Sequence, residues 1–345
     1  MQTYIDYAVE QMKALCAIPS PSGYTAEVTK YLMNLLKELG YKPEKTNKGS
    51  VIVSLGGEGE HLVLAAHIDT LGAMVRAVKA NGRLRLTTIG GYPFQNIENE
   101  NVTIHTRKGK EYSATVHLCE PAAHVNKDIS TDKRTDMTVE VVIDEIVNTI
   151  EETRKLGISA GDFVSFDPRT KVTESGYIKS RHLDDKLSAA ILLALAKMIA
   201  EKKLELSRKV SLLFTSYEEV GHGGSSGIPT DTREMISVDM GAVGDDLTTD
   251  ELKVSICAKD SGGPYDYEIT NKLIKLAEEH KLNFAVDIYP FYGSDVEAAL
   301  RAGYDIRHGL IGPGVAASHG YERSHIRAVE NTLKLIAAYL EAGEK

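Results

Sequence analysis

Three short apolar runs, each leading into a residue able to hold a cation, constrain this chain more than any other feature of its sequence. Leu62 to Ala66 runs into His67-Ile68-Asp69, Val210 to Thr215 is followed by Ser216-Tyr217-Glu218-Glu219, and Met235 to Val238 ends at Asp239. Runs this short and this apolar read as strands buried on both faces, as in a parallel sheet covered by helices. Helical stripes surround them. Ile5, Ala8, Val9, Met12, Leu15 and Cys16 precede a Pro19-Ser20-Pro21-Ser22-Gly23 loop, and a second stripe from Val28 to Leu39 closes at Gly40. Leu187 to Ile199, Tyr267 to Lys281 and His325 to Leu340 predict three more helices, and strands are expected at Val51 to Leu55, at Phe284 to Tyr289 and around Leu310. The predicted class is α/β, with a mixed sheet flanked by helices.

Between residues 71 and 163 the texture changes to short alternating strands with turn signals, Asn81-Gly82 and Lys108-Gly109-Lys110 among them, interrupted by a helical patch from Glu145 to Lys155. Roughly 90 residues of this character suffice for a small barrel or sandwich. The expected organisation is a discontinuous α/β domain, 1–70 and 164–345, with an inserted small β-barrel domain over 71–163.

Charge and composition narrow the function. A net charge of −9 and a pI near 5.7 argue against nucleic acid as a partner. The longest apolar stretch, Leu187 to Ala196, stops at Lys197, well short of the roughly 20 residues that a membrane span needs, so no membrane partner is expected. Asp6 and Glu10 near the start do not fit a secretory leader, and three widely spaced cysteines fit a reducing compartment. The expected location is cytoplasmic.

Each candidate site residue has an ordinary explanation when taken alone. A His ending a strand is commonly just hydrogen-bonded, Asp184 and Asp185 suit the N-cap of the helix that follows, and a Glu pair on a loop is usually solvated. Their placement makes the set informative. His67, Glu219 and Asp239 each stand just past a buried strand, and parallel strands gather such residues at one edge of a sheet. His319 lies in the glycine-rich segment after the strand expected near Leu310. For Glu218 and Glu219 to enter one site the chain must leave extended geometry, and Gly221 signals that departure. Two His and three carboxylates with a further Glu form the donor inventory of a two-metal hydrolytic site. Two divalent ions bring +4, which Asp184, Glu219, Asp239 and one hydroxide balance. Asp69 is placed to orient the His67 ring.

The fragments AAHIDT, LDDK, TSYEEVG, SVDMG and SHGYER, in this order, resemble the M42 family of metallo-aminopeptidases, whose fold is phosphorylase/hydrolase-like with a β domain inserted after the H-x-D triplet. The resemblance implies that His67 and Asp239 hold one metal, Glu219 and His319 the other, and Asp184 bridges them. It makes Glu218 the general base, Asp69 the orienting carboxylate, and the Asp184–Asp185 bond cis. The His/carboxylate donor set suits zinc or cobalt, and the resemblance further implies short peptide substrates, dimers formed through the inserted domain, and tetrahedral dodecamers built from those dimers. Thr70, Tyr217 and Lys186 stand where an acid, Gln and Arg are common in the family, yet none of these departures removes a ligand or the base. Other readings of the same residues are a metal-dependent deacylase on the same core, a glycosidase using Glu218 and Glu219, and a metal-stabilised scaffold. Tyr289 to Gly293 could line a pocket, and the preferred first residue of the substrate is left open.

Overall fold

The computed structural model describes residues 1–342. It divides into two compact units, one formed by Met1–Asp69 with the chain from Arg169 onward, the other by Thr70–Pro168.

The first unit is built on a nine-stranded mixed sheet. Its main path runs Glu44–Lys45, Val51–Gly56, Lys209–Thr215, His61–His67, Thr232–Val238, Arg307–Val315, Val254–Lys259, Phe284–Ile288. The four central strands are mutually parallel, and Val51–Gly56 and Val254–Lys259 each pair antiparallel to them. All residues of His61–His67 are buried, which explains its unbroken apolar run. Leu62, Leu64 and Ala66 enter the core formed with the helices Gln2–Ala17, Leu183–Ala200 and Ile326–Glu341. Val63 and Ala65 point the other way, to Leu213, Met235 and Val296. Two buried faces on one strand are what a parallel sheet between helix layers produces. The register sets Thr215 opposite His67 and Ser237 opposite Ala65, so the carboxyl ends of three adjacent strands meet at one edge.

Several elements had no sequence signal, among them the strand Val254–Lys259, the helix Asp295–Arg301, and a small sheet of Lys171–Val172, Tyr177–Ser180 and Glu322–His325. They are two to seven residues long, too short for apolar periodicity to mark them. No helix among the described residues is long and apolar enough to cross a membrane.

The second unit is a closed six-stranded antiparallel barrel, ordered Gly72–Val78, Leu84–Ile89, Val139–Ile143, Glu111–Leu118, Asn101–His105, Phe163–Phe166. Its core is the inward alternation of Val75, Leu84, Leu86, Ile104, Val116, Val141 and Val164. Phe163–Phe166 pairs with both Gly72–Val78 and Asn101–His105 and so closes the barrel, which carries the unit to Pro168, past the boundary expected at 163. The helical patch shortens to Ile150–Lys155 because the Thr149 side chain caps it at Glu152 N.

One buried charge in the barrel makes a pH prediction. Burial would raise the Glu140 carboxyl, but hydrogen bonds from Lys79 and Arg83 outweigh it and hold the group below its usual range. A carboxylate depressed in the folded state stabilises above its unfolded pKa, near 4.3, and loses that contribution as pH falls through the folded value. Glu140→Gln should therefore cost about 1–2 kcal/mol at pH 7. Thermal melts from pH 7 to pH 3 should show the gap to the unchanged protein closing below about pH 4.

Candidate metal centre

Thr215 ends its strand and the backbone then turns sharply. Tyr217 adopts a left-handed φ of 71°, Glu218–Val220 form one 3₁₀ turn, and Gly221 closes it at φ 82°. This break from strand alternation brings both glutamates to the same edge. Two buried carboxylates hold the turn. Asp69 accepts hydrogen bonds from Glu218 N at 3.1 Å and Glu219 N at 3.4 Å, and also from the Ser22 hydroxyl. Asp295 accepts from Gly224 N at 2.6 Å and from the Thr215 hydroxyl. A Cβ on Gly224 would collide with the Asp295 carbonyl, so only glycine allows this approach. Lys48 clamps the far side of the loop through Gly223 O at 3.2 Å and Ser225 Oγ at 3.1 Å.

Asp184 and Asp185 do not act as N-caps. The helix Leu183–Ala200 starts after His182, at φ 69°, and both aspartates have non-helical backbone angles, joined by a cis peptide bond. Asp184 N donates to Glu322 Oε2 at 3.1 Å, and Asp185 Oδ2 accepts from His67 N at 3.2 Å. The next residue, Lys186, is fully buried and pins the end of Gln2–Ala17 through Leu15 O at 2.8 Å and Ile18 O at 2.7 Å, with burial pushing its ammonium down to about 8. Neither Lys186 nor Tyr217, which stacks on His222, lines the cleft described below.

The side chains converge on Asp184. Its Oδ1 lies 3.1 Å from His67 Nε2 and its Oδ2 lies 3.4 Å from His319 Nε2 and 3.0 Å from Ser318 Oγ. Glu219 Oε2 is 3.6 Å from His319 Nε2, and Glu218 Oε2 is 3.8 Å from His67 Nε2. Two donor groups fall within 4.8 Å, His67 with Asp184 and Glu219, and His67 with Asp185 and Asp239. His319 is in neither group but reaches both Asp184 and Glu219. The His67 ring is oriented by the Asp69 main-chain carbonyl, 2.9 Å from Nδ1, whereas the Asp69 carboxylate is 3.9 Å away and engaged with the glutamate turn. Asp69 thus serves both elements, through different atoms.

Burial and mutual repulsion leave this centre short of positive charge. Burial raises Glu219 to about 8 and Asp239 to about 7, in each case with the field of Asp184 adding to it. Glu218 rises well above the carboxylate range, through burial first. Burial opposes protonation of His67, but the Asp184 hydrogen bond and the surrounding carboxylates push it well above its ordinary value. Asp184 alone is lowered, because His319 and His67 hydrogen-bond to it strongly enough to overcome burial. Glu219 Oε1 and Asp185 Oδ1 are buried with no hydrogen-bond partner. Orphaned acceptor oxygens among imidazoles and carboxylates fit divalent cations of the zinc or cobalt type.

A cleft of about 540 Å³ opens onto the centre. Asp184, Glu218, Glu219, Asp239 and His319 form its polar end, while Met240, Leu247 and the segment Tyr289–Gly293 form an apolar wall. Tyr292 Oη donates to Met240 O at 3.1 Å, placing its ring beside the acidic cluster.

The model of the family described as M42 glutamyl aminopeptidase matches residues 49–335. The chain belongs to the M42 peptidase family. It is therefore a hydrolase of peptide bonds. Among relatives of this M42 peptidase, YhfE of Bacillus subtilis is 46% identical over 342 residues, 99% of each chain. Among solved structures, a TET aminopeptidase from a marine-sediment Thaumarchaeota archaeon superposes with a TM-score of 0.87 at 18% identity, covering 97% of this chain and 96% of that one. The Pyrococcus horikoshii TET1 peptidase, described as assembling into a tetrahedron or a large octahedral shell, gives 0.84 at 23% identity, covering 96% and 99%. These structures share the fold.

Three residues of the M42 peptidase's centre were not singled out by sequence: Ser22, Asp295 and Glu322. Glu322 lies inside the SHGYER fragment, so the signal was present but undivided. Ser22 and Asp295 act across long separations, 47 residues to Asp69 and 80 to Thr215, which no local spacing reveals.

Proposed function

We propose that this M42 peptidase is an aminopeptidase that binds two divalent cations, zinc or cobalt, and removes N-terminal residues from short peptides. His67 and Asp239 would hold one ion and Glu219 and His319 the other, with Asp184 between them. The observation that carries this reading is Asp184 itself, which turns one oxygen to each of two imidazoles, at 3.1 and 3.4 Å. Bound ions would supply a Lewis acid for the scissile carbonyl and a water of lowered pKa.

The remaining work falls to the chain's own side chains. Glu218, with its side chain 15% exposed at the cleft, takes the proton of the attacking water and returns it to the departing amine. Asp69 fixes Glu218 by its amide, so the base is aimed by backbone and not by a flexible contact. The apolar wall excludes water from one side of the cleft and suits the body of a peptide.

The barrel unit is proposed as the site of subunit contact, in dimers that build a tetrahedral dodecamer like the assembly described for the TET1 peptidase. Light scattering should give a mass far above 37.7 kDa, and a monomer would overturn this. For the activity, peptides with free and with acetylated N-termini should be compared. Stepwise loss of residues from free peptides alone is expected, whereas release of acetate from the blocked ones would favour a deacylase.

A further inference from the structure

Glu322 is buried and touches two segments that lie far apart in the sequence. Its Oε1 accepts from His319 N at 3.1 Å and its Oε2 accepts from Asp184 N at 3.1 Å. The antiparallel register sets Ser180 opposite Glu322, so the chain leaves that pairing four residues before Asp184, while His319 lies three residues before Glu322 in the other strand's approach. Both approaches carry non-glycine residues in the left-handed region: His182 at φ 69° on one, Ala317 at 57° and His319 at 62° on the other. Such backbone persists only where its surroundings hold it. Arg181 Nη1 to Gly320 O, at 3.3 Å, is a second tie between the same segments.

We infer that Glu322 is a positioning residue that, by accepting both backbone amides with one carboxylate, sets the spacing between Asp184 and His319 and thereby builds the cation site those two residues share with Glu219. This rests on the proposed reading of Asp184 and His319 as ligands. It predicts selectivity. His319 serves only one of the two ions, while Asp184 and His67 stay tied to the sheet through Asp185 Oδ2 and His67 N. Loss of Glu322 should therefore weaken the ion held by His319 more than the other, because that ion loses the placement of two of its ligands and the other that of Asp184 alone.

The test is calorimetric titration of the metal-free full-length protein with Co²⁺, with the visible absorption of bound Co²⁺ recorded at each step, for the unchanged protein, Glu322→Ala and Glu322→Gln. Removing a group that orients metal ligands typically costs 10- to 100-fold in affinity. Glu322→Ala should show a loss of that size in one binding step and an altered absorption band, with a clearly smaller loss in the other step. Glu322→Gln keeps one acceptor oxygen and should lose less; if the Ala variant does not fold, the Gln variant decides by the same criterion. Unaltered titrations would overturn the inference. Equal weakening of both steps together with a lower melting temperature of the metal-free protein would overturn it as well, because that is what a merely structural residue produces. An unchanged protein that takes up fewer than two ions would overturn the two-ion reading and this inference with it, so the two failures are told apart.

Discussion

Replacing Glu218 by Gln will leave metal uptake and melting temperature unchanged and lower kcat by about 10² to 10⁴. The amide has nearly the shape of the carboxylate, and the contact that aims residue 218 is made by its backbone N–H to Asp69, which the substitution does not touch. What is lost is the capacity to accept a proton from the attacking water. KM should change little, since the side chain is proposed to act on the water and not on the ground-state peptide. Steady-state kinetics on a free dipeptide, with metal content measured on the same sample, checks this. Near-normal turnover with both ions bound would remove Glu218 from its role.

Stripping the cations should have a larger effect still. With chelator present, peptide cleavage should fall to the background rate and return on addition of Zn²⁺ or Co²⁺. Stability should fall with it. Asp184, Asp185 and Asp239 are each less than a tenth exposed, and Glu219's side chain is 3% exposed, so without counter-charge they oppose one another at short range. A ligand that binds only the folded state adds about 2.7 kcal/mol when present at a hundred times its Kd. Two ions should thus raise Tm by on the order of 10 °C. Differential scanning calorimetry of loaded and chelated protein reads this directly. Chelated protein that still cleaves peptides and melts at the same temperature would remove metal from the account.

The parts of the fold that were legible in the sequence are those whose environment is uniform along the chain. The strand His61–His67 is buried on both faces, so its composition had no alternative but to be apolar, and the strands ending at Thr215 and Val238 are legible for the same reason. The mixed α/β class and the M42 resemblance carried by five fragments are both borne out by the sheet and by the family match over residues 49–335. What stayed hidden depends on separations that periodicity cannot sense. Glu322 meets Asp184 across 138 residues, and Asp295 meets Gly224 across 71. Asp184 also shows how a local rule misleads. An acid just before a helix suits an N-cap, but its amide is engaged by Glu322 and its carboxylate by two histidines, so tertiary partners override the capping preference. The carboxylate of Asp69 is a similar case, since a turn that arrives 149 residues later claims it.

Asp184 is proposed to join two cation sites in one centre, and the decisive measurement is a titration of metal-free protein with Zn²⁺ while turnover of a free dipeptide is followed. Turnover should rise until two equivalents per chain have been added, and an acetylated copy of the same dipeptide should not be cleaved at any point. Saturation at one equivalent, or turnover in the absence of added metal, would contradict this.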